Sequence, residues 1–313
     1  MKKINASIQK VKAFAPATCA NVAVGFDILG FAFETLGDYV TLTRREDQQI
    51  IVESIHSQEK LPFAAGENTA SVVIQKLCQQ LNLDIGFSIH IEKGIPLSSG
   101  MGGSAASAVA ALVACNAFLT APLSAHELAY FALFGEKAAS GEAHADNIIP
   151  CLFGGLTLIQ SQNPIKVLNL PIPELYCVLL HPHLQVAPRD ARNALKKEIT
   201  LQDHVQQSAN LASFIAALYE NDYLLLQQSM RDVIIEPQRA KFVPEFYKIK
   251  DAATEAGALG VSFSGSGPSM FAFTRTREEA QKVSGAMRLP LQKANINSDC
   301  WISPIGKKAA HVV

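Results

Sequence analysis

The 313-residue chain has no surplus of charge of either sign: 27 Lys plus Arg stand against 28 Asp plus Glu, a net of −1. No global field therefore gathers nucleic acid or an anionic membrane, and an anion site has to be built locally. The six cysteines (Cys19, Cys78, Cys115, Cys151, Cys177, Cys300) form no CxxC pair and mostly sit in apolar runs. They read as small buried hydrophobes in a reducing compartment. The opening MKKINASIQK lacks the apolar run of a secretory signal, because Asn5, Ser7, Gln9 and further lysines occupy its place. A cytoplasmic, soluble protein is the expectation. No internal repeat, low-complexity tract or long charge run is present. Charged residues are only 18% while hydrophobic residues are 49%, enough for a sizeable core and against a disordered chain. Charge is also missing from residues 94–125. The apolar part of that stretch, 105–121, is mostly alanine and carries Ser107, Asn116 and Thr120, which is marginal for a bilayer of ~30 Å. It reads as a helix buried on nearly every face in a protein core.

The pattern predicts strands over 8–14, 39–44, 50–55 and 87–92, and a helix opened by Asn68. It then predicts the buried helix over 105–119 and a helix over 124–139 with Ser124 and Glu127 at capping-box spacing. A strand is expected over 151–160. Three prolines within 161–173 mark the domain boundary, dividing the chain into 1–168 and 169–313. The second half reads as strand (176–181), helices (189–197, 201–219, 223–234, 245–256), two strands about a turn (260–264, 270–274), helix (277–289) and strand (294–303). The expectation is an α+β, two-domain architecture with antiparallel sheets and helices on one side.

The stretch PLSSGMGGSAAS, Pro96 to Ser107, runs from a strand into the buried helix. Gly100, Gly102 and Gly103 let backbone approach a ligand closely and adopt positive φ. Ser98, Ser99 and Ser104 offer hydroxyls, and the helix start offers free N–H groups with about half a positive charge. This composes a phosphate cradle without a cationic side chain, in which a Cβ at Gly102 would occupy the backbone's approach to phosphate. Three other readings stand beside it. A P-loop lacks its GK[ST] ending here. A dinucleotide fingerprint fits at Gly100, Gly102 and Ala105, but too many residues separate strand from glycines. A helix-capping loop with no ligand is the third.

Three stretches together resemble the GHMP kinases. The glycine loop is similar to that family's second motif, PxxxGxGxSAA. APATCANVAVGFDILG, residues 15–30, is similar to the first, and VSFSGSGPS, residues 261–269, to the third. They stand in the family's order and spacing across nearly the whole chain. Family members acting on mevalonate or galactose carry an early basic residue and a later catalytic aspartate, yet residues 13–33 contain no Lys or Arg. GEKAASGEAHADNIIP (135–150) followed by FGG (153–155), DAR (190–192) and EPQR (236–239) instead resemble the members that act on homoserine.

The resemblance implies a ribosomal S5 domain 2-like N-terminal domain and a ferredoxin-like C-terminal domain. It implies ATP-dependent phosphorylation of the side-chain hydroxyl of L-homoserine, a step of threonine biosynthesis; the alternative is another GHMP small-molecule kinase with a mevalonate-like or sugar substrate. It implies no nucleic acid or membrane partner, and a homodimer. The nucleotide would meet Pro96, Leu97, Ser98, Ser99, Gly100, Met101, Gly102, Gly103, Ser104, Ala105 and Ala106, with Asn68 at the adenine. Ser104 and Glu136 would hold Mg²⁺, a hard cation that takes oxygen ligands. A zwitterionic amino acid needs a cation and an acceptor. Arg192 and Arg239 are the candidates for its carboxylate, Asp27 with Asn21 for its ammonium, and Asn147 to orient the attacking hydroxyl. His144 and Asp146 flank the site, but phosphoryl transfer depends mainly on alignment and charge, and direct transfer without a side-chain base is expected. One departure stands out: where members of the family commonly have Thr four residues before the Arg of DAR, this chain has Pro188, so either that contact to substrate is lost or Arg189 or a backbone group replaces it.

Overall fold

Strand β1 (Lys10–Ala20) runs antiparallel to the long β2 (Leu29–Arg45), with a bulge between Pro16 and Ala17. In this computed structural model, which describes residues 4–57, 59–140 and 144–313, the chain continues through β3 (Ile50–His56), α1 (Thr69–Leu81) and β4 (Gly86–Glu92). It goes on through α2 (Gly103–Asn116), α3 (Ala125–Ser140), α4 (Ala145–Phe153), β5 (Leu156–Gln162) and β6 (Ile165–Leu170). Residues 1–3 of the opening segment and 141–143 of the GEKAASGEAHADN stretch lie outside the described residues. The second half holds β7 (Tyr176–Pro182), α5 (Pro188–Asn193), α6 (Leu201–Glu220), α7 (Tyr223–Ser229) and α8 (Glu236–Arg239). A 3-10 turn, α9 (Phe246–Glu255), β8 (Gly260–Phe263), β9 (Met270–Thr274), α10 (Arg277–Lys293) and β10 (Ser298–Pro304) follow. A last short strand, β11 (His311–Val312), returns to pair with β1.

The first sheet runs β11-β1-β2-β4-β3, with β5 and β6 continuing from the start of β2. Not every pair is antiparallel, as the sequence suggested. β3 and β4 are parallel, because α1 carries the chain back between them as a crossover. The second sheet runs β10-β7-β9-β8, the ferredoxin-like order. Alternation along its central strands explains why they read as unbroken apolar runs. Met270 and Ala272 of β9, with Val178 and Leu180 of β7, pack into the core shared with α9 and α10. Phe271, Phe273, Cys177 and Leu179 point the other way, into the core of the first domain. Phe31 of β2 meets Phe271 and Phe273 at ring separations of 5.7 and 5.3 Å, so the two domains share one packed seam.

α2 is buried around its whole girth, as its alanine content predicted. Ala105, Ala106, Ala108, Ala110, Ala111 and Ala114 are inaccessible or nearly so, and their small side chains let β1, β2, α1, α3 and α4 close in. Among the described residues no helix is long and apolar enough to cross a membrane. The capping box at Ser124 and Glu127 forms.

Four elements differ from the sequence pattern, each for a local reason. Residues 151–153 end helix α4 rather than open a strand. Pro150 removes one N–H there and frees the carbonyl of Asp146, against which the bare Cα of Gly30 is packed, since a Cβ would lie 2.0 Å from that oxygen. α5 stops at Asn193, and the chain turns away as Lys196 N bonds Gln238 Oε1 at 2.7 Å. α7 stops at Ser229 because the Asp232 carboxylate takes the amides of Ile234, Ile235 and Glu236 at 2.8–3.0 Å and so starts α8. Pro164, the first of the three boundary prolines, sits in the β5–β6 hairpin turn, and only Pro171 and Pro173 fall between the sheets.

Beneath the start of α2 lies a buried ion pair. Lys93 Nζ binds Asp38, and the two side chains are 4% and 0% exposed. The ammonium also donates to Gly103 O at 2.9 Å and Ser107 Oγ at 3.0 Å. Asp38 Oδ1 accepts the amides of Gly94 and Ile95 at 3.1 Å each. Every polar atom of the pair is answered, which is the condition for tolerating charge in a core. Lys93→Met strands the Asp38 carboxylate and should lower unfolding free energy by ~3–5 kcal/mol. Adding Asp38→Asn should recover part of that loss. Urea denaturation of the single and double variants checks this; a double variant as unstable as the single one contradicts it.

Candidate active site

Gly102, the N-cap of α2, has φ +67° and gives no side-chain cap, and no acidic residue occupies the first turn. Ala106 N takes Gly102 O at 2.9 Å, which leaves the amides of Gly103, Ser104 and Ala105 as the spare donors. Among the described residues none of the three finds a protein acceptor. They border a cavity of about 780 Å³, together with Pro96, Leu97, Ser98, Ser99, Gly100 and Gly102.

Gly100 and Gly102 take the positive φ their sequence suggested, and neighbouring segments add a second reason for them to be bare. A Cβ on Gly102 would lie 2.0 Å from Thr18 Oγ1 and 2.9 Å from Asn147 Oδ1. One on Gly100, at φ +76°, would lie 2.4 Å from Ser264 O and 2.6 Å from Gly267 O. Both positions are bare so that other protein segments can touch the loop. The third glycine stretch clasps the second: Ser264 Oγ donates to Gly100 O at 2.9 Å and Ser269 N to Ser99 O at 3.2 Å. It clasps the first as well, through Gly265 N to Ala20 O at 3.2 Å. Gly265 O accepts both Asn21 Nδ2 at 2.9 Å and Arg239 at 3.0 Å.

Across the cavity, α5 and α8 present guanidinium groups. Arg192 pairs with both oxygens of Asp27 at 3.0 and 2.7 Å. Arg239, 4% exposed, bonds only carbonyls, those of Gly265 and Ala191. Burial lowers its pKa, with the Asp27 charge opposing that shift. The guanidinium groups of Arg192 and Arg239 stand 5.1 and 5.2 Å from the centre of the Phe26 ring. Asn21 lines the cavity beside Asp27: its Nδ2 donates to Gly265 O at 2.9 Å and its Oδ1 accepts Asp27 N at 3.0 Å, which also positions Asp27. Asn147 is held by Thr18, whose hydroxyl donates to Oδ1 at 2.8 Å. Among the described residues its Nδ2 makes no hydrogen bond, and Asn147 lines the cavity.

Ser104, exposed at the helix start, and Glu136, with a side chain 13% exposed, border the same space. Among the described residues no three His, Cys, Asp or Glu gather to hold a metal. One carboxylate and one hydroxyl beside a phosphate cradle nevertheless fit Mg²⁺, which keeps waters and phosphate oxygens as its other ligands. His144 Nδ1 lies 3.9 Å from Glu136 Oε1, and the interaction with that carboxylate raises its pKa against desolvation.

Three expected residues stand apart from the cavity wall. Met101 is 1% and Ala106 0% exposed; both face the core behind the loop, and Met101 contributes its carbonyl to Thr18 N at 3.1 Å. Asn68 is the N-cap of α1, with Oδ1 on Ala70 N and Nδ2 on Pro62 O, so both ends of its amide are engaged within the protein. Phe26, Thr18 and Ser266 are site residues that motif reading missed. Phe26 alone had a signal, an aromatic ring inside a glycine-rich polar stretch.

Asp146 is 3% exposed, and its Oδ1 has no hydrogen-bond partner. Desolvation, helped by the Asp27 charge and opposed by His144, pushes its pKa up to about 7. The folded chain thus holds this proton more tightly than the unfolded chain does. Stability is full below the unfolded value near 4 and is lost as pH rises through about 7. Asp146→Asn should therefore raise the thermal midpoint over the parent chain at pH 8, reflecting a gain in unfolding free energy of a few kcal/mol at most at ~1.4 kcal/mol per pKa unit. The difference should vanish at pH 4, and scanning calorimetry at both pH values reads it. A second test concerns packing: Gly102→Ala should cut turnover at least ~10-fold by displacing Thr18 and Asn147, while nucleotide affinity falls less. Loss of nucleotide affinity alone would return the glycine to ligand approach.

Known proteins agree with this arrangement. The family model for the GHMP kinases N terminal domain matches residues 68–155, and that for the GHMP kinases C terminal matches residues 214–292. A homoserine kinase from Chlorobium phaeobacteroides is 45% identical over 98% of this chain and 100% of its own length. One from Xylella fastidiosa is 42% identical over 97% of this chain and 94% of its own. The crystal structure of homoserine kinase from Cytophaga hutchinsonii superposes with a TM-score of 0.96 at 42% identity, covering 99% of each chain. A mevalonate kinase from L. major shares the fold, with a TM-score of 0.71 at 17% identity over 99% of this chain and 100% of its own. With full-length likeness to the first group and likeness in fold alone to the second, the chain belongs to the GHMP kinase family, in its homoserine kinase branch.

Proposed function

We propose that the chain transfers the γ-phosphoryl group of ATP to the side-chain hydroxyl of L-homoserine, giving O-phospho-L-homoserine and ADP in threonine biosynthesis. One observation carries this reading. Arg192 and Arg239 flank Phe26 with the Asp27 carboxylate beside them, across one cavity from three spare helix amides. A cationic pair next to an anion fits a small zwitterion, and bare helix amides fit polyphosphate.

Arg239 and Arg192 take the substrate carboxylate. Asp27, held by Asn21 and sharing Arg192, turns its remaining lone pairs to the ammonium. Asn147, fixed by Thr18, donates Nδ2–H to the hydroxyl oxygen and holds it in line. The loop amides receive the phosphates. Ser104 and Glu136 would hold Mg²⁺, which when bound neutralises phosphate charge. The hydroxyl oxygen bonds the γ-phosphorus as the bond from that phosphorus to the β,γ-bridging oxygen breaks, and its electron pair leaves with ADP. The hydroxyl proton passes late to a phosphoryl oxygen. No side-chain base enters this sequence, because phosphoryl transfer through a loose transition state depends mainly on alignment and charge stabilisation.

With Mg-ATP, L-homoserine should stimulate ADP release and mevalonate should not. Arg239→Ala should raise the homoserine KM by ~30-fold or more, the loss of a buried charge-assisted contact, and leave the ATP KM nearly unchanged. ADP release indifferent to homoserine, or an unaltered homoserine KM in the variant, contradicts the assignment.

A further inference from the structure

The two walls of the cavity answer negative charge in different ways. The loop wall carries hydroxyls and peptide nitrogens. Lys93, adjacent to it in sequence, lies behind it, tied to Asp38, Gly103 O and Ser107, and does not border the cavity. Among the described residues, no lysine or arginine lines the cavity from that side. The opposite wall has three guanidinium groups, Arg189, Arg192 and Arg239.

Two of the three are committed. Arg192 shares its charge with Asp27, and Arg239 is fixed on the carbonyls of Gly265 and Ala191; both gather at Phe26, the amino-acid end. Arg189 differs from them. It is exposed, and among the described residues it makes no hydrogen bond or ion pair. It sits in the first turn of α5, three residues before Arg192, so both side chains leave the same face of the helix toward the cavity. Its long stem can swing a guanidinium over the space between the two walls. Mg-ATP still carries net negative charge, the two committed arginines gather at the other end of the cavity, and the third arginine stands uncommitted at the same opening.

Resting on the reading of the preceding subsection, we propose that Arg189 is a further catalytic residue, whose guanidinium grips the γ-phosphate from the C-terminal wall and stabilises the charge that spreads over its equatorial oxygens. A planar fork suits two phosphoryl oxygens, and a cation at that position acts most strongly as the group transfers. The loop wall then holds the nucleotide, and the opposite wall withdraws charge from the group in flight.

The test titrates Mg-AMP-PNP and Mg-ADP calorimetrically into the parent chain, Arg189→Gln and Arg189→Lys, without amino acid. The parent should favour the triphosphate analogue. Arg189→Gln should lose ~10-fold or more of that preference with ADP affinity unchanged, and Arg189→Lys should keep part of it. In steady state, Arg189→Gln should lower kcat by ~10²-fold or more, while the homoserine KM moves by less than about threefold. Millimolar guanidinium should restore part of the turnover of Arg189→Ala, which a fold defect would not allow. An unchanged AMP-PNP to ADP ratio overturns the proposal. So does a raised homoserine KM at constant kcat, which would assign Arg189 to the substrate carboxylate. The nucleotide titration involves no acceptor alcohol, so a chain that phosphorylated another alcohol would fail the earlier reading and leave this one standing or falling separately.

Discussion

The clasp between the two glycine loops sets the geometry of the whole site. Ser264 and Ser269 reach from the second sheet to the carbonyls of Gly100 and Ser99 on the phosphate loop, 2.9 and 3.2 Å away. These contacts bring the free amides at the start of α2 opposite the guanidinium groups of α5 and α8. Without the clasp, the polyphosphate and amino-acid ends would belong to two unrelated surfaces. The seam of Phe31, Phe271 and Phe273 behind it supplies rigidity, and the edge and tilted ring contacts add ~0.5–1.5 kcal/mol each beyond simple burial.

Buried charge follows the same economy of position. The Lys93–Asp38 pair sits under the loop with every donor and acceptor met, so it fixes Gly103 without entering the cavity. Arg239 is nearly as buried, yet it meets only carbonyl dipoles. A cation so placed keeps part of its electrostatic demand for an incoming anion. Asp146 is the opposite case, a carboxyl whose Oδ1 has no partner and which therefore holds its proton to near neutrality. The contrast separates a scaffold charge, a binding charge and a group kept largely neutral within a single cavity wall and its support.

Composition carried the loop and the buried helix well. Glycine, serine and a following alanine-rich run report directly on a loop that feeds a buried helix, and α2 is found where they place it. The second reason for the glycines was not legible, because Thr18 and Ser264 approach Gly102 and Gly100 from distant parts of the chain. For the same reason the tie of the Asn21 amide to Gly265, 244 positions away, was not legible. Helix α4 was hidden by a short apolar run that fits strand or helix equally well. The parallel β3–β4 pair and the return of β11 to β1 are likewise matters of long-range pairing, on which local periodicity is silent. Phe26 shows the limit most clearly: its role depends on two arginines that lie more than 160 residues further along.

The most direct measurement is a crystal structure of the chain with Mg-AMP-PNP and L-homoserine bound together. The account predicts the triphosphate on the amides of Gly103, Ser104 and Ala105 and the amino-acid carboxylate on Arg192 and Arg239. It places the substrate hydroxyl ~3–3.5 Å from the γ-phosphorus, beside Asn147 Nδ2. A triphosphate seated away from the start of α2, or a homoserine whose carboxylate faces the glycine loop, would contradict it.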